Sequence, residues 1–88
     1  MMTGDLIPLV QICRRHPEVK FEIRGEGRAR FIFGTTASKA FELSICEEGY
    51  FFEGWDKIDP NSVQAPQISV TENTLDQVAD LLHDFLKS

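Results

Sequence analysis

Four basic residues in one short stretch have the chemistry to bind an anion. From Val19 to Phe33, apolar and polar residues alternate on either side of Gly25-Glu26-Gly27, which predicts a β-hairpin with a three-residue loop. In this register Arg24 lies opposite Arg28, and these like charges repel unless a neighbour such as Glu26 neutralises them. Either the hairpin tip is simply solvated, or it recognises a phosphate or an acidic partner. The residues of this basic strip are Lys20, Arg24, Arg28 and Arg30.

A second candidate surface is aromatic. The segment from Tyr50 to Asp56 is a predicted strand with four large rings, which cannot all face one way at period two. Phe51 and Trp55 share one face, and Tyr50 and Phe52 share the other. The pair that faces away from the helices is then exposed or covered by another chain, unless helices cover both faces. The predicted protein-binding residues are Tyr50, Phe51, Phe52, Glu53 and Trp55.

The remaining reactive residues form no recognisable site in the sequence. Cys13 and His16 have a spacing found in metal sites, but Cys46 and His83 stand alone on distant segments. Each cysteine lies in an apolar pattern, which favours a buried thiol over a disulfide. No nucleophile elbow, phosphate loop, dinucleotide fingerprint or zinc-protease helix is present. We therefore expect a non-enzymatic protein with no metal and no cofactor.

Two amphipathic helices are predicted, one near each end of the chain. Apolar residues recur at helical spacing from Leu6 to Cys13, with Asp5 as the N-cap and Pro17 as the stop. Near the other end, Thr74-Leu75-Asp76-Gln77 is a capping box that opens an apolar stripe reaching Leu86. A helix with such a stripe must bury it against another element.

Five short strands are predicted between the helices. The second hairpin turns at Glu47-Glu48-Gly49, the segment from Lys57 to Pro66 is a loop, and Gln67 to Thr71 forms a short fifth strand. The predicted fold is α+β, of order αβββββα: an antiparallel sheet of four to five strands, built from two successive β-hairpins plus the fifth strand, with both helices on one face. In the first hairpin Ile32 joins the polar face, and the other face holds Val19, Phe21, Ile23, Ala29, Phe31 and Phe33.

Length and composition predict one domain over residues 1–88. The chain has 88 residues, of which 42% are hydrophobic and 26% charged, as in ordinary globular proteins. No apolar run approaches the ~20 residues that span a bilayer, and the segment from Met1 to Leu9 has no basic leader. We expect a cytoplasmic protein that does not bind membranes.

Charge is distributed unevenly along the chain. The formal net charge of −5 argues against general nucleic-acid binding, because affinity for phosphates comes from lysine and arginine. Residues 1–30 hold six basic side chains against four acidic ones, whereas residues 31–88 hold three against ten. An acidic second half would steer the chain towards a basic partner.

The second half also resembles known small inhibitors. Glu48-Gly49-Tyr50-Phe51, a later strand, and Thr74-Leu75-Asp76-Gln77 at the start of a leucine-rich helix resemble the strand–strand–strand–helix arrangement of HicB-type antitoxins and of small bacterial immunity proteins. The ten-residue loop after Asp56 departs from that pattern, and no functional residue carries over. The resemblance implies a small acidic inhibitor of a basic protein.

Two classes of function follow from the sequence. The first is a small acidic non-enzymatic protein-binding module, of the inhibitor, immunity, antitoxin or adaptor type, which binds a protein partner or a second copy of itself. It would use the outer aromatic sheet face and the acidic C-terminal half. The alternative is an anion or nucleic-acid binder that uses the Arg-rich first hairpin and the end of the first helix. Added salt should weaken the second kind of binding steeply.

Overall fold

The computed structural model describes residues 6–56 and 65–88, apart from the side chain of Arg28. In these residues the chain forms two helices and one five-stranded antiparallel sheet of order β1-β2-β3-β4-β5, which confirms the predicted αβββββα fold. The first helix has Leu6 as its N-cap, with no side-chain capping bond, so the predicted N-cap Asp5 was wrong by one residue. Asp5 itself and the loop residues 57–64 lie outside the described residues. The elements are α1 (Ile7–Arg14), β1 (Lys20–Arg24), a 3-10 helix (Gly27–Ala29), β2 (Phe31–Thr35), β3 (Lys39–Cys46), β4 (Gly49–Asp56), β5 (Ile68–Glu72) and α2 (Leu75–Lys87).

Both described helices pack on one face of the sheet, which we call the inner face. Their buried side chains, including Leu9 and Leu82, join one hydrophobic core with the sheet residues Phe41, Leu43 and Phe52, all without exposed surface. Because side chains alternate along a strand, the neighbours of these sheet residues point away from the helices. Neither described helix has the length and apolar composition needed to cross a membrane.

Two glycines let aromatic rings lie directly on the inner face. Gly34 of β2 and Gly54 of β4 are the two cross-strand partners of Phe41. A Cβ atom on Gly34 would collide with the ring of Phe41, and one on Gly54 would lie 2.8 Å from Cε1 of Phe85. Glycine in a strand often marks such a close approach. The positions of both rings therefore depend on residues that have no side chain.

The first hairpin differs from the predicted one. Its connection runs from Gly25 to Arg30 and contains the 3-10 helix, and Arg24 pairs with Phe31 rather than with Arg28. The predicted three-residue loop was wrong. Because the loop has six residues, an odd number more than predicted, the side chains of β2 exchange faces of the sheet. Ile32 is therefore on the inner face and fully buried, beside its partner Leu43. This burial and the fit of Gly34 under Phe41 favour the observed register.

Both ends of α2 are held by side chains. At its start, Thr74 Oγ1 accepts a hydrogen bond from the backbone N–H of Gln77 at 3.2 Å, and Gln77 Oε1 accepts from the N–H of Thr74 at 3.1 Å. The predicted capping box is thus confirmed. At its end, the buried Lys39 of β3 donates through Nζ to the carbonyl oxygens of Phe85, at 2.6 Å, and Ser88, at 2.5 Å. A cation suits the negative end of the helix dipole.

Candidate protein-binding surface

The face of the sheet opposite the helices, which we call the outer face, carries four partly exposed aromatic rings. Phe31 and Phe33 come from β2, and Phe51 and Trp55 come from β4. Ile32 and Phe52 lie on the inner face, so alternation places these four rings on the other side. Within the described parts of the chain, no helix packs against this face.

Two carboxylates lie opposite each other in the middle of the outer face. Glu42 of β3 pairs with Glu53 of β4, and Phe33 is the partner of Glu42 on the other side. Directly opposed side chains have Cβ atoms about 4.5–5.5 Å apart, and like charges in this position repel. Burial raises the pKa of Glu42, the negative charge of Glu53 raises it further, and the positive charge of Arg24 lowers it.

The aromatic rings frame this acidic pair. Phe51 and Trp55 are two residues before and after Glu53 on the same face of β4, which places their Cα atoms about 7 Å from that of Glu53. Phe33 lies next to Glu42 on the opposite side. On β3 the outer-face neighbours of Glu42 are small residues. They are Ala40, which pairs with Trp55, and Ser44, which pairs with Phe51. The rings therefore form the borders of a shallow acidic area.

Arg24 of β1 shows how a cation lies on this face. Its guanidinium carbon is 4.2 Å from the ring centroid of Phe33, within the distance of a cation–π contact. Its Nε donates to a carboxylate oxygen of Glu22, and about half of each side chain is exposed. Such an exposed ion pair contributes about 0–1 kcal/mol to stability. The contact thus orients Arg24 more than it stabilises the fold.

The predicted protein-binding residues divide between the two faces. Phe51, Glu53 and Trp55 lie on the outer face. Phe52 is fully buried in the core, so its prediction as a binding residue has to be corrected, since no partner can reach it there. Tyr50 lies on the same inner face, partly buried against that core. The alternation of side chains along β4 places Phe51 and Trp55 on one face and Tyr50 and Phe52 on the other.

Three residues of the surface were missing from the sequence prediction. Phe31 and Phe33 were assigned to the inner face because the loop length of the first hairpin was wrong. Glu42 is also missing from the prediction, although the position of the turn at Glu47 and Glu48 determines which residue of β4 it pairs with. This turn pairs Cys46 with Gly49, and four further steps along both strands pair Glu42 with Glu53.

The predicted basic strip is not brought together among the described side chains. Lys20 and Arg24 lie on the edge strand β1 four residues apart, which corresponds to about 13 Å along a strand. Arg24 already contacts Glu22, and Arg30 is exposed beyond the 3-10 helix. The side chain of Arg28 is outside the described part. Anion binding by this strip remains a prediction that the structure does not strengthen.

Cys13 and the two histidines belong to the helix side of the sheet, whereas Cys46 lies on the outer face four residues beyond Glu42 along β3. Both cysteines are free; Cys13 is buried as predicted, whereas Cys46 is only partly buried. Burial raises the pKa of Cys13 to about 12, so its thiol stays protonated at neutral pH. The rings of His16 and His83 are 5.8 Å apart, where α1 approaches α2. Over residues 6–56 and 65–88, no group of three or more potential ligands is arranged to hold a metal ion.

Comparison of the chain with protein-family models, with curated proteins and with solved structures finds no match. The resemblance of the second half to antitoxins and immunity proteins therefore stays a prediction from the sequence.

Proposed function

We propose that this chain is a small non-enzymatic protein-binding module whose docking surface is the outer face of its sheet. The observation that supports the proposal is the position of the four aromatic rings. They remain partly exposed on the face opposite the described helices, although the same strands bury a complete core on their other side. Aromatic residues are enriched in protein interfaces, and clustered exposed apolar groups often mark binding surfaces.

The partner is a protein with a positively charged surface. The centre of the outer face is acidic because Glu42 and Glu53 are opposed there, and the whole chain has a formal net charge of −5. Complementary charge speeds the encounter of two proteins and selects between partners. The exposed carboxylates Asp76, Asp80 and Asp84 on α2 lie on the helix side of the sheet. These carboxylates contribute to the long-range attraction of the partner, whereas the outer face makes the direct contact with it.

A second copy of the chain fits the outer face less well. In a two-fold symmetric dimer the same patch lies on both sides of the interface. A dimer through the centre of the outer face would therefore set one Glu42–Glu53 pair against another. Burying four carboxylates without cations between them is costly. Inhibitors, immunity proteins, antitoxins and adaptors share the property proposed here, which is binding to a different protein.

Site-specific photo-crosslinking in the native cell tests this proposal. A photoreactive amino acid at Thr71, an exposed outer-face residue of β5, should cross-link a partner, whereas one at Asp80 on α2 should not. The double substitution Phe51→Ser/Trp55→Ser should abolish the cross-link because it removes two of the framing rings. Ile7→Ser is the matched control, since it removes an exposed apolar side chain on the helix side.

The test compares the amount of cross-linked partner between these variants, and cross-linking of some protein by the wild type alone does not support the proposal. Equal cross-linking by the double variant and by the wild type would contradict docking on the outer face, provided that circular dichroism shows both to be folded. Cross-links between copies of this chain, with a dimer in sedimentation, would show that the occupant is a second copy and overturn the proposal of a basic partner.

A further inference from the structure

Among the described side chains, the positive charge that acts on the acidic pair of the outer face is that of Arg24, which is already paired with Glu22. In the row of directly paired residues that crosses the face, Glu22, Phe33, Glu42 and Glu53 follow one another. Arg24 is the cation that contacts this row among the described side chains, and its ion pair is with Glu22. One further positive charge over Glu42 and Glu53 would therefore relieve their mutual repulsion. The raised pKa of Glu42, caused by burial and then by Glu53, agrees with this imbalance.

The aromatic frame suits a flat cation. Phe51 and Trp55 flank Glu53 along β4, and Phe33 flanks Glu42, so ring atoms border the acidic pair on both sides. Tryptophan offers the strongest cation–π contact of the aromatic residues. A guanidinium group is planar, weakly hydrated and able to donate two parallel hydrogen bonds to a carboxylate. An ammonium group is a compact and strongly hydrated charge, so it gains less between such rings.

The chain contains its own example of this contact. The guanidinium of Arg24 lies over the ring of Phe33 and pairs with Glu22, which is the cross-strand partner of Phe33. The row thus already combines an aromatic ring, a carboxylate and a guanidinium in one arrangement. On β4, Glu53 with Phe51 and Trp55 again combines a carboxylate with aromatic rings.

We infer that the outer face recognises an arginine side chain of its partner, which lies over Glu42 and Glu53 between the rings of Phe33, Phe51 and Trp55. This inference rests on the proposed function and specifies the group that the partner presents. The guanidinium donates to the two carboxylates and contacts the ring faces. We call this position, formed by Glu42, Glu53 and the three rings, the arginine seat. Arg24 lies beside it and is a like charge that the incoming arginine has to approach.

Fluorescence titration with short peptides tests the inference on the intact chain. Trp55 is the single tryptophan, so its emission reports on the seat directly. The probe is the acetylated amide of Leu-Arg-Leu, and its neutral control carries citrulline, which keeps the shape of arginine without the charge. We expect the arginine peptide to bind about ten-fold more tightly than the citrulline peptide. A lysine peptide should fall between them.

Matched variants separate the seat from general acidity. Glu42→Gln and Glu53→Gln should each weaken binding of the arginine peptide by about five-fold or more, as loss of a charge-assisted hydrogen bond does. Glu48→Gln makes the same change of charge at the exposed β3–β4 turn and should alter binding by less than about two-fold. Arg24→Gln should strengthen binding, since it removes a like charge. An anion-binding strip would predict no binding of this cationic peptide at all.

Two results would overturn the inference. One is equal binding of the arginine and citrulline peptides, and the other is equal weakening by Glu42→Gln and Glu48→Gln. The failure of the inference can be told from failure of the proposed function by repeating the photo-crosslinking with the Glu42→Gln/Glu53→Gln variant. If this variant keeps the partner while Phe51→Ser/Trp55→Ser loses it, the outer face docks a protein without an arginine seat. If neither variant loses the partner, both proposals fail.

Discussion

The two faces of the sheet carry aromatic residues of the same type in different surroundings. Phe51 and Phe52 are neighbours on β4, yet Phe52 is fully buried among the rings of Phe41 and Phe85, whereas Phe51 is partly exposed beside a carboxylate. Alternation along the strand, and not the hydrophobicity of the residue, decides between these places. The difference teaches that the core is complete without the outer rings. This is why we attribute those rings to binding.

The largest expected difference between the faces concerns these two phenylalanines. Phe52→Ala should lower the free energy of unfolding by about 3–5 kcal/mol, because it leaves a cavity between β4 and α2. Phe51→Ala should lower it by about 1 kcal/mol or less, which is the range for partly exposed strand positions. Urea denaturation of both variants measures the difference. Equal losses would mean that the outer ring belongs to the folding core, and would break the comparison.

A smaller loss is expected from adding a single methyl group to the inner face. In Gly34→Ala the new Cβ would collide with the ring of Phe41, whose movement disturbs the packing around it. We expect a loss of about 1–3 kcal/mol in the free energy of unfolding, as for other overpacked cores. Ser44→Ala on the outer face is the control and should stay within about 0.5 kcal/mol of the wild type. A neutral Gly34→Ala would show that the inner face has spare room.

A similar comparison sharpens the role of a lysine on each face. Lys39 is buried and donates three hydrogen bonds, to the carbonyl oxygens of Phe85 and Ser88 and to Ser88 Oγ. Lys39→Met keeps an apolar stem but removes all three of these hydrogen bonds, and the carbonyl oxygen of Phe85 keeps only its contacts with Ser88. We therefore expect a loss of about 1–3 kcal/mol in the free energy of unfolding. Lys20→Met, at an exposed outer position, should cost less than about 0.5 kcal/mol.

Hydrogen exchange distinguishes this role of Lys39 from general damage to the core. Amides in the last turn of α2 should exchange faster in Lys39→Met than in the wild type, while those of β3 and β4 remain protected. Uniform acceleration over the sheet and the helix would contradict a local role at the helix end.

Much of the fold could be predicted from the sequence, because its signals are local. The capping box at Thr74 to Gln77 and the turn at Glu47 to Gly49 depend on neighbouring residues, and both were located correctly. The register of the first hairpin could not be read in this way. Phe31-Ile32-Phe33 is apolar on both faces, so alternation does not say which face is buried. That choice depends on Gly34 meeting Phe41 from another strand.

The candidate site was predictable only in part for the same reason. Phe51, Glu53 and Trp55 lie on one strand, and period two alone places them on a common face. Glu42, Phe31 and Phe33 join them through the pairing of three strands, which is a property of the assembled sheet. The contact between Lys39 and the end of α2 joins residues 46 and 49 positions apart. No pattern within a strand or helix indicates such a pair.

The smallest expected effect concerns the charge of Glu42 in the absence of a partner. Because its pKa is raised in the folded state, the folded chain binds this proton more tightly than the unfolded chain does, and stability falls as the pH rises through the interval between the two pKa values. Glu42→Gln removes this term. The variant should therefore gain stability relative to the wild type, by less than about 1 kcal/mol, near neutral pH.

This gain should shrink as the pH falls below the ordinary carboxyl range, where Glu42 is protonated in both folded and unfolded states. Thermal unfolding of the two proteins across this range measures it, with Glu48→Gln as the control for the loss of one exposed carboxylate. A Glu42→Gln variant that is less stable at neutral pH would mean that the carboxylate is already balanced by a cation of its own chain. The outer face would then have no charge left for a partner to neutralise, and the contrast with the self-sufficient inner face would disappear.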